Sequence, residues 1–429
     1  MDCPSNATTA PRRSAAELLR DVATAGGCSH PIRLRGEFVN AATGELAERG
    51  LLVACKDRRA ILCPSCSYLY KADAWILVSA GLVGGKGVDG SVATRPRLFL
   101  TLTAPSFGPV HTRRDDGSCH PRRSARCRHG HPVACSHRHE NADRDLGTPL
   151  CADCFDYRGA VLWNAGSSRL WNRTIEQVRR RLAHSQSLSP EEFGAHARLS
   201  YLKVAEFQRR GLVHFHVVLR ADGPGEPFSP PPSWLTAPLL ARVVTSVASS
   251  FALESPTGTL RWGHQLHASD VTALEGGDLR IAAYLAKYAT KTTDDSLGLA
   301  RRFHSRAAIQ GLGDGHQRRL ALTSWDLGRE PGRAALNLRG HAHAFGFRGQ
   351  IITKSRHFST RFSDLRDARA AFMSRPGSDD PIAGTFAYDG RGYDDPRGTQ
   401  LAEWLHQVDV DAHHEAWTLS TIANRKGDL

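Results

Sequence analysis

Two histidines and one glutamate are spaced so that a β-hairpin would bring them together. His214 and His216 alternate along a β-rich segment, and Glu206 lies near the end of the β-rich segment before it. Residues 209–211 between the two segments predict a three-residue turn with Gly211 in the left-handed conformation. In that register Glu206 lies opposite His214, on the face that residues two apart along a strand share. The three side chains would then form a site suited to Mn²⁺ or Mg²⁺, with open positions for substrate oxygens.

A pair of tyrosines follows further along the chain, on a segment that should be helical. Alanine and leucine dominate residues 281–291, and Asp278 is a plausible N-cap. Tyr284 and Tyr288 have i, i+4 spacing and share one helix face, and Lys291 reaches the same side. Taken alone, the helix favours an aromatic pair packed into a core with lysines pointing outward. Its proximity to a metal site would make a tyrosine a candidate nucleophile, because cations lower the pKa of a phenol.

The cysteines predict structural zinc rather than disulfides. The chain has ten cysteines, and we expect no secretory signal because no basic segment followed by an apolar run begins the sequence. A reducing compartment favours metal binding over disulfides. Each of two Cys-x-x-Cys pairs presents two thiolates to one tetrahedral ion, and an upstream pair would complete each shell. The first predicted set is Cys28, Cys55, Cys63 and Cys66, and the second is Cys127, Cys135, Cys151 and Cys154. Cys3 and Cys119 are left over, and a histidine near the second set (His120, His129, His131, His137 or His139) is an alternative ligand there. Two structural zinc ions follow.

The charge of the chain indicates a polyanionic partner. The formal net charge is +13, with 56 Lys plus Arg against 43 Asp plus Glu. Residues 301–370 alone hold fourteen basic residues against five acidic ones, which favours a nucleic-acid surface in that segment. A composition of 41% hydrophobic and 23% charged residues excludes a disordered chain and a membrane protein. We therefore expect a cytoplasmic protein with no membrane partner.

The order of these motifs resembles that of HUH endonucleases, in particular the rolling-circle replication initiators of actinobacterial plasmids and integrative elements. His214-Phe215-His216 is similar to the His-hydrophobic-His motif, and Tyr284-x-x-x-Tyr288-x-x-Lys291 is similar to the two-tyrosine motif. Other segments that resemble these initiators are Leu98–Thr103, Cys63-Pro-Ser-Cys66, and residues 103–110, 205–211, 347–349 and 354–356. The resemblance spans roughly residues 28 to 370.

The resemblance implies a tyrosine-dependent DNA nickase. Tyr288 would attack a phosphodiester of origin DNA, form a 5′-phosphotyrosine and free a 3′-hydroxyl that primes replication. The ion held by the Glu206 site would polarise the phosphate, and Lys291 would stabilise developing charge. Tyr284 would cut the regenerated junction, or else only pack. Host helicase and polymerase are expected partners, since residues 81–87 do not complete a phosphate-binding loop for a motor.

Other function classes fit part of this pattern. A sequence-specific DNA-binding regulator with structural zinc and no catalysis explains the charge and the cysteines, but it leaves the histidines and tyrosines without a role. A single-strand transposase or a conjugative relaxase would share the histidine motif, and a cupin-like metalloenzyme is a more distant alternative. The zinc-binding segments and the motif order favour an initiator.

The predicted fold class is α+β, with an N-terminal zinc-bound segment at 1–96 and a nuclease core at 97–295. The core would begin with a strand at 97–103, carry a zinc-bearing insertion at about 111–157, and resume with a helix around 171–185. The resemblance implies an antiparallel sheet with helices on one face. Residues 296–375 would form a basic DNA-binding region, and 376–429 a linker with a short helix at 401–408. Phosphate contacts in the basic region are predicted for Arg318, Arg319, Arg348, Lys354 and Arg356.

Overall fold

A computed structural model of the chain describes residues 13–40, 44, 46–120, 126–225, 229–255, 257–271, 277–290, 302–313, 315–373 and 382–426. Its α-helices are α1 (Ala15–Thr24), α2 (Pro64–Val83), α3 (Tyr157–Ser185), α4 (Pro190–His196), α5 (Ala237–Ser250), α6 (Gly277–Thr290), α7 (Arg306–Gln310), α8 (Gly315–Leu327), α9 (Phe362–Met373) and α10 (Arg397–Lys426). Its strands are β1 (Ile32–Asn40), β2 (Leu46–Val53), β3 (Arg97–Leu102), β4 (Ser118–His120), β5 (Cys135–Arg138), β6 (Arg198–Phe207), β7 (Val213–Asp222), β8 (Leu266–Asp270), β9 (Ile352–Lys354) and β10 (Ile382–Arg391). These elements make an α+β protein, as predicted.

The described residues divide into two compact units. One comprises residues 73–364, and the other comprises residues 1–72 together with 365–429. The larger unit is built on a five-stranded sheet in the order β8-β3-β7-β6-β9, in which every pair of neighbours is antiparallel. The two long strands β6 and β7 therefore occupy interior positions, where both edges of each strand are hydrogen-bonded.

Alternation along the strands gives this sheet two different faces. On β3, Leu98, Leu100 and Leu102 are buried in the main hydrophobic core, whereas Phe99 and Thr101 point to the other face. On β7, Phe215 joins the leucines in that core. The polar side chains of the histidine motif lie on the opposite face, with Phe99 and Thr101.

Helices pack on both faces of the sheet rather than on one. The core face is covered by α3 and α5, and α3 buries Trp171, Ile175, Val178 and Leu182, which have the spacing of one helix face. Asp156 caps α3 by accepting a hydrogen bond from Gly159 N, so that the helix begins well before the predicted position. The tyrosine helix α6 lies against the opposite face, where its tyrosine rings contact His216. Our expectation that the helices would pack on one face only is therefore wrong.

The smaller unit contains a three-stranded antiparallel sheet in the order β10-β1-β2. Its core combines Val22 of α1 and Ala402 of α10 with buried cysteines. Tyr393 Oη donates a 2.7 Å hydrogen bond to Cys28 O. The C-terminal segment expected to be a linker with a short helix instead supplies a strand and a 30-residue helix.

The observed units differ from the domain ranges expected from the sequence. The basic segment does not form a separate body, because β9 is the fifth strand of the large sheet and Phe345 and Phe347 lie in its main core. Likewise, residues after 365 group with the N-terminal segment. Both differences arise from pairing between strands that are far apart in the sequence, which local sequence patterns do not predict. No helix within the described ranges combines the length and apolar character needed to cross a bilayer.

Candidate metal and tyrosine site

The β6–β7 hairpin has the register that its turn predicts. Glu206 pairs with His214, and Gln208 N donates a 2.8 Å hydrogen bond to Leu212 O across the turn. Gly211 has a φ of 77°, and a Cβ at this position would lie 2.3 Å from the Leu320 Cδ1 atom. Glycine therefore satisfies both the left-handed backbone and the close packing of the turn.

The hairpin brings one carboxylate and two imidazoles together. Glu206 Oε2 lies 2.7 Å from His214 Nε2 and 3.1 Å from His216 Nε2. Glu206 and His216 are buried, whereas His214 is half-buried at the edge of the site. One oxygen and two nitrogen donors thus converge from one side, as the sequence predicts, in a geometry that could hold a metal ion.

Strand β3 orients His216 from the neighbouring position in the sheet. Thr101 pairs with His216, and Thr101 Oγ1 lies 3.2 Å from His216 Nδ1, so the opposite ring nitrogen faces Glu206. The Phe99 ring stacks on the imidazole with a centroid distance of 6.0 Å and an interplanar angle of 7°. Sequence reasoning missed Thr101 and Phe99 as site residues, although both fall in the strand that it identified. An outer partner of this kind fixes which nitrogen a histidine offers to a metal.

Helix α6 places both tyrosines beside this cluster. The ring centroids of Tyr284 and Tyr288 lie 5.1 and 5.2 Å from that of His216, and 4.5 Å from each other. Burial, a hydrogen bond to Tyr288 and the negative charge of Glu206 raise the pKa of Tyr284 above the ordinary tyrosine value. Lys287 Nζ lies 6.0 Å from the Tyr288 ring centroid. Lys291, predicted to assist Tyr288, falls outside the described residues.

A buried ion pair connects the start of α6 to the sheet. Arg97 Nη2 donates a 2.8 Å hydrogen bond to Asp278 Oδ2, and Arg97 Nη1 also donates to Leu82 O. Burial is the largest cause both of the raised pKa of Asp278 and of the lowered pKa of Arg97, and each is partly offset by the attraction of the other. Asp278, predicted as an N-cap, lies instead in the first turn of the helix and joins that turn to Arg97 of β3.

The first predicted cysteine set is assembled as expected. Cys28, Cys55, Cys63 and Cys66 offer four sulfurs that all lie within 4.8 Å of one another. Cys63 and Cys66 lie at the start of α2, and Cys55 N donates to the Cys28 sulfur at 3.3 Å. Four converging thiols in this arrangement fit a closed tetrahedral zinc site.

The second predicted set is split between two clusters. Cys127, Cys151 and Cys154 converge with His129, one of the histidines considered as an alternative ligand. His129 Nδ1 lies 3.2 Å from Cys154 Sγ and 3.7 Å from Cys151 Sγ.

Cys135 belongs to a third cluster, with His111, Cys119 and His139. This corrects the predicted grouping, and the reason is topological, because pairing of β4 with β5 carries Cys135 toward Cys119. The Cys135-x-x-x-His139 spacing was the sequence signal that could have indicated this grouping. Cys3, the other unassigned cysteine, lies outside the described residues.

The five predicted phosphate contacts are not equivalent in the structure. Arg318 donates to Leu312 O, Arg319 pairs with Asp153 at 2.9 Å, and Lys354 donates to Ser359 O at 2.7 Å. Burial lowers the pKa of Lys354. Arg348 and Arg356 are exposed, and Arg348 also donates to Ala335 O. Four of the set therefore have contacts within the protein (Arg318, Arg319, Arg348 and Lys354), and the exposed members are Arg319, Arg348 and Arg356.

Comparisons with known proteins bear on most of the chain. A family model described as "RepSA: Replication initiator protein, pSAM2" matches residues 14–407. A protein of Streptomyces ambofaciens named "Replication initiator protein" is 39% identical over 366 residues, which cover 81% of this chain and 76% of the relative. No solved structure matches the chain.

Proposed function

The chain belongs to the family of replication initiator proteins, and we propose that it initiates replication by nicking one DNA strand at an origin through a tyrosine nucleophile. The proposed products are a 5′-phosphotyrosine and a 3′-hydroxyl that primes rolling-circle synthesis of a plasmid or integrative element. Origin DNA is the proposed partner, and a host helicase and polymerase would unwind and extend it. The Tyr284, Tyr288 and His216 arrangement is the observation that carries this proposal.

This arrangement supports the proposal because it places metal-type donors beside two phenols that could act as nucleophiles. The histidine belongs to a set of three metal-type donors, and the two phenols lie on the same side of the sheet within 5.2 Å of its ring. A phosphate bound to an ion in this set would therefore lie next to a tyrosine. A DNA-binding regulator has no need of such an arrangement.

The donors fit a divalent ion with open coordination positions. Glu206, His214 and His216 would hold Mn²⁺ or Mg²⁺, because one carboxylate and two imidazoles leave several positions to substrate oxygens. When bound, the ion would supply charge neutralisation at the non-bridging oxygens of the phosphate. Thr101 would keep His216 in the orientation that offers Nε2.

The proposed reaction exchanges one phosphodiester for another. Tyr288 Oη forms the bond to phosphorus as its proton leaves, and the bond from phosphorus to the 3′-oxygen breaks, with that oxygen taking up a proton. Covalent capture preserves the energy of the phosphodiester, so rejoining requires no ATP. Tyr284 is the candidate for the second cut, when the first tyrosine still holds a 5′ end. Lys291 is proposed to stabilise developing charge on the phosphate or the phenolate.

The cysteine clusters are proposed to hold structural zinc. The Cys28 set has four thiolates, and the Cys154 set has three thiolates and His129. Both are closed shells without an open position for substrate, which is typical of structural sites.

A cation-dependent nicking assay tests the proposal. The full chain is incubated with tiled single-stranded oligonucleotides from the DNA flanking its own gene, with Mn²⁺, Mg²⁺ or EDTA. We expect cleavage at one position that EDTA abolishes and that the variant Glu206→Ala lacks, whereas the exposed-residue control Glu191→Ala retains it. Binding without cleavage under all conditions would instead support a regulator.

A further inference from the structure

A third cluster of metal-type donors lies in the insertion between β3 and α3. It consists of His111, Cys119, Cys135 and His139, whose ligand atoms all lie within 4.8 Å of one another. We infer that these residues bind a third zinc ion, which fixes the loop that holds the turn of the β6–β7 hairpin. The binding of zinc here does not depend on the proposed nicking function. The effect on the hairpin concerns the Glu206 site, to which that function is assigned.

The spacing of the donor atoms matches the edges of a zinc tetrahedron. Bonds of about 2.0 Å to nitrogen and 2.3 Å to sulfur give edges of about 3.3 Å between nitrogens and about 3.5 Å between nitrogen and sulfur. His111 Nδ1 lies 3.3 Å from His139 Nε2, and Cys135 Sγ lies 3.6 Å from His139 Nε2. Cys119 Sγ lies 3.9 Å from His111 Nδ1. Two thiolates and two imidazoles at these distances select zinc over magnesium or calcium.

The residues around the cluster orient its ligands as in a metal site. Asp143 Oδ2 accepts a 2.6 Å hydrogen bond from His139 Nδ1, which leaves Nε2 facing the other donors. Thr112 N donates to the Cys119 sulfur at 3.3 Å, a contact that stabilises a thiolate. Cys119 and His139 are buried. A carboxylate behind a ligating histidine is the usual outer partner in zinc sites.

The insertion has little regular secondary structure to keep it folded. Its only regular elements among the described residues are β4 and β5, which are three and four residues long and pair with each other alone. A two-stranded ribbon of that length is not stable by itself in water. Binding of a metal to a segment with so small a core supplies free energy of folding directly.

The loop that follows His139 contacts the turn of the metal-bearing hairpin. Arg209 Nη1 donates a 2.8 Å hydrogen bond to Asp143 O, and Arg209 Nη2 donates one of 2.6 Å to Asn141 O. The backbone of Gly147 packs against this turn so closely that a Cβ on Gly147 would lie 2.6 Å from Arg209 C. Gly147 N in turn donates to His111 O at 2.9 Å. The loop is therefore attached to a cluster ligand at each end and to Arg209 between them.

The turn that the loop contacts is close in sequence to the candidate active site. The turn is three residues from Glu206 on one strand and three residues from His214 on the other. A loop that loses its metal no longer fixes the Asn141 and Asp143 carbonyls that bind Arg209. The hairpin would then open and close more readily at the end that carries the Glu206 site.

Zinc counting tests the site. The full chain and its variants are purified without added metal, and zinc per chain is measured by native mass spectrometry. We expect three zinc ions for the unsubstituted chain, two for Cys135→Ser, two for Cys154→Ser, which removes a ligand of another cluster, and three for His131→Ala, an exposed histidine outside all clusters. Two zinc ions in the unsubstituted chain, with none lost in Cys135→Ser, would overturn the site.

A second measurement avoids dependence on the folding of a variant. Cys135 is only half-buried, so burial alone does not shield its thiol from iodoacetamide. In the unsubstituted chain we expect Cys135 to be alkylated at least tenfold faster after a zinc chelator is added. Rapid alkylation before chelation would contradict a metal-bound thiolate.

Hydrogen exchange tests the link to the hairpin. We expect the backbone amides of residues 208–212 to exchange at least tenfold faster in Cys135→Ser, and to do so in Arg209→Ala although that variant keeps three zinc ions. His131→Ala serves as the control and should leave these rates unchanged. Unaltered exchange in a Cys135→Ser protein that has lost one zinc would overturn the link while leaving the metal site and the proposed nicking untouched.

Discussion

At the scale of single residues, the geometry of the Glu206 site follows from the turn that precedes it. The register of the hairpin follows from a three-residue turn ending at Gly211, so Glu206 and His214 were predictable as neighbours. Thr101 and Phe99 were not, because they come from β3 and reach His216 only through sheet pairing. Local sequence thus predicts the donors of the site but not the residues that orient them.

The orientation of His216 has a measurable consequence. We expect Thr101→Val to weaken Mn²⁺ binding about tenfold, because loss of an outer partner of a ligating histidine typically costs 10–100-fold in metal affinity. Glu206→Ala should weaken it further. Calorimetric titration with Mn²⁺ measures both, and Thr94→Val, the same substitution on an exposed residue outside the site, is the control. Equal affinity in Thr101→Val and the unsubstituted chain would contradict the assigned role of Thr101.

Lys203 makes the stability of the larger unit depend on pH. Its amine is buried on the core face, 3.7 Å from the centroid of the Phe215 ring, and burial lowers its pKa to about 7. Between about pH 7 and about pH 10.4 the unfolded chain therefore binds more protons at this residue than the folded chain does. The contribution of Lys203 to the free energy of unfolding must rise with pH across that window.

Replacement of Lys203 by methionine tests this sign. We expect Lys203→Met to be more stable than the unsubstituted chain at pH 6, with the difference shrinking as the pH rises from 7 to 10. Urea unfolding at several pH values measures it, and Lys71→Met, on an exposed lysine, should change little. A difference that grows with pH would show that the folded state favours the charged amine.

At the scale of secondary-structure elements, the sequence predicts elements better than their placement. The strand at 97–103, the hairpin and the tyrosine helix all carry local patterns, and each is present with nearly the predicted bounds. The cluster of His111, Cys119, Cys135 and His139 depends on contacts between residues far apart in sequence. The same is true of strand β10 and the long helix α10. His111 and Cys119 belong to no recognisable short motif, so only the pairing of β4 with β5 reveals their partners.

An ion pair between Arg97 and Asp278 joins α6 to β3. We expect Asp278→Ala to lower the free energy of unfolding of the larger unit by about 3 kcal/mol, because Arg97 would stay buried without its carboxylate partner. Glu330→Ala removes the partner of Arg158 in an exposed pair and should cost less than about 1 kcal/mol. Urea denaturation compares the two variants. A cost for Asp278→Ala no larger than that of the exposed control would contradict this role.

At the scale of the whole molecule, the net charge of +13 indicates a polyanion but does not say where it binds. Many basic side chains of the segment 301–370 are engaged within the protein, as the contacts of Arg318, Arg319 and Lys354 illustrate. The local surplus of charge therefore overstates the DNA-binding surface. Three of the five predicted contact residues are exposed, and one of these, Arg319, pairs with Asp153, which leaves Arg348 and Arg356 as the residues to test.

The double substitution Arg348→Glu and Arg356→Glu tests that surface. We expect weaker binding to origin DNA and a salt dependence whose slope falls by about 2, since each phosphate contact contributes about 0.9. Fluorescence anisotropy at several salt concentrations measures both quantities. Arg242→Glu, on an exposed residue of α5, is the control. An unchanged slope in the double variant would place the phosphate contacts elsewhere.

Covalent capture of DNA is the central claim, and adduct formation tests it most directly. The full chain and its Tyr288→Phe, Tyr284→Phe and Tyr388→Phe variants are incubated with cleavable single-stranded origin DNA and Mn²⁺. Protein–DNA adducts are then separated on denaturing gels. We predict an adduct with the unsubstituted chain, with Tyr284→Phe and with Tyr388→Phe, an exposed control, and none with Tyr288→Phe. An undiminished adduct with Tyr288→Phe would contradict the assignment of Tyr288 as the nucleophile.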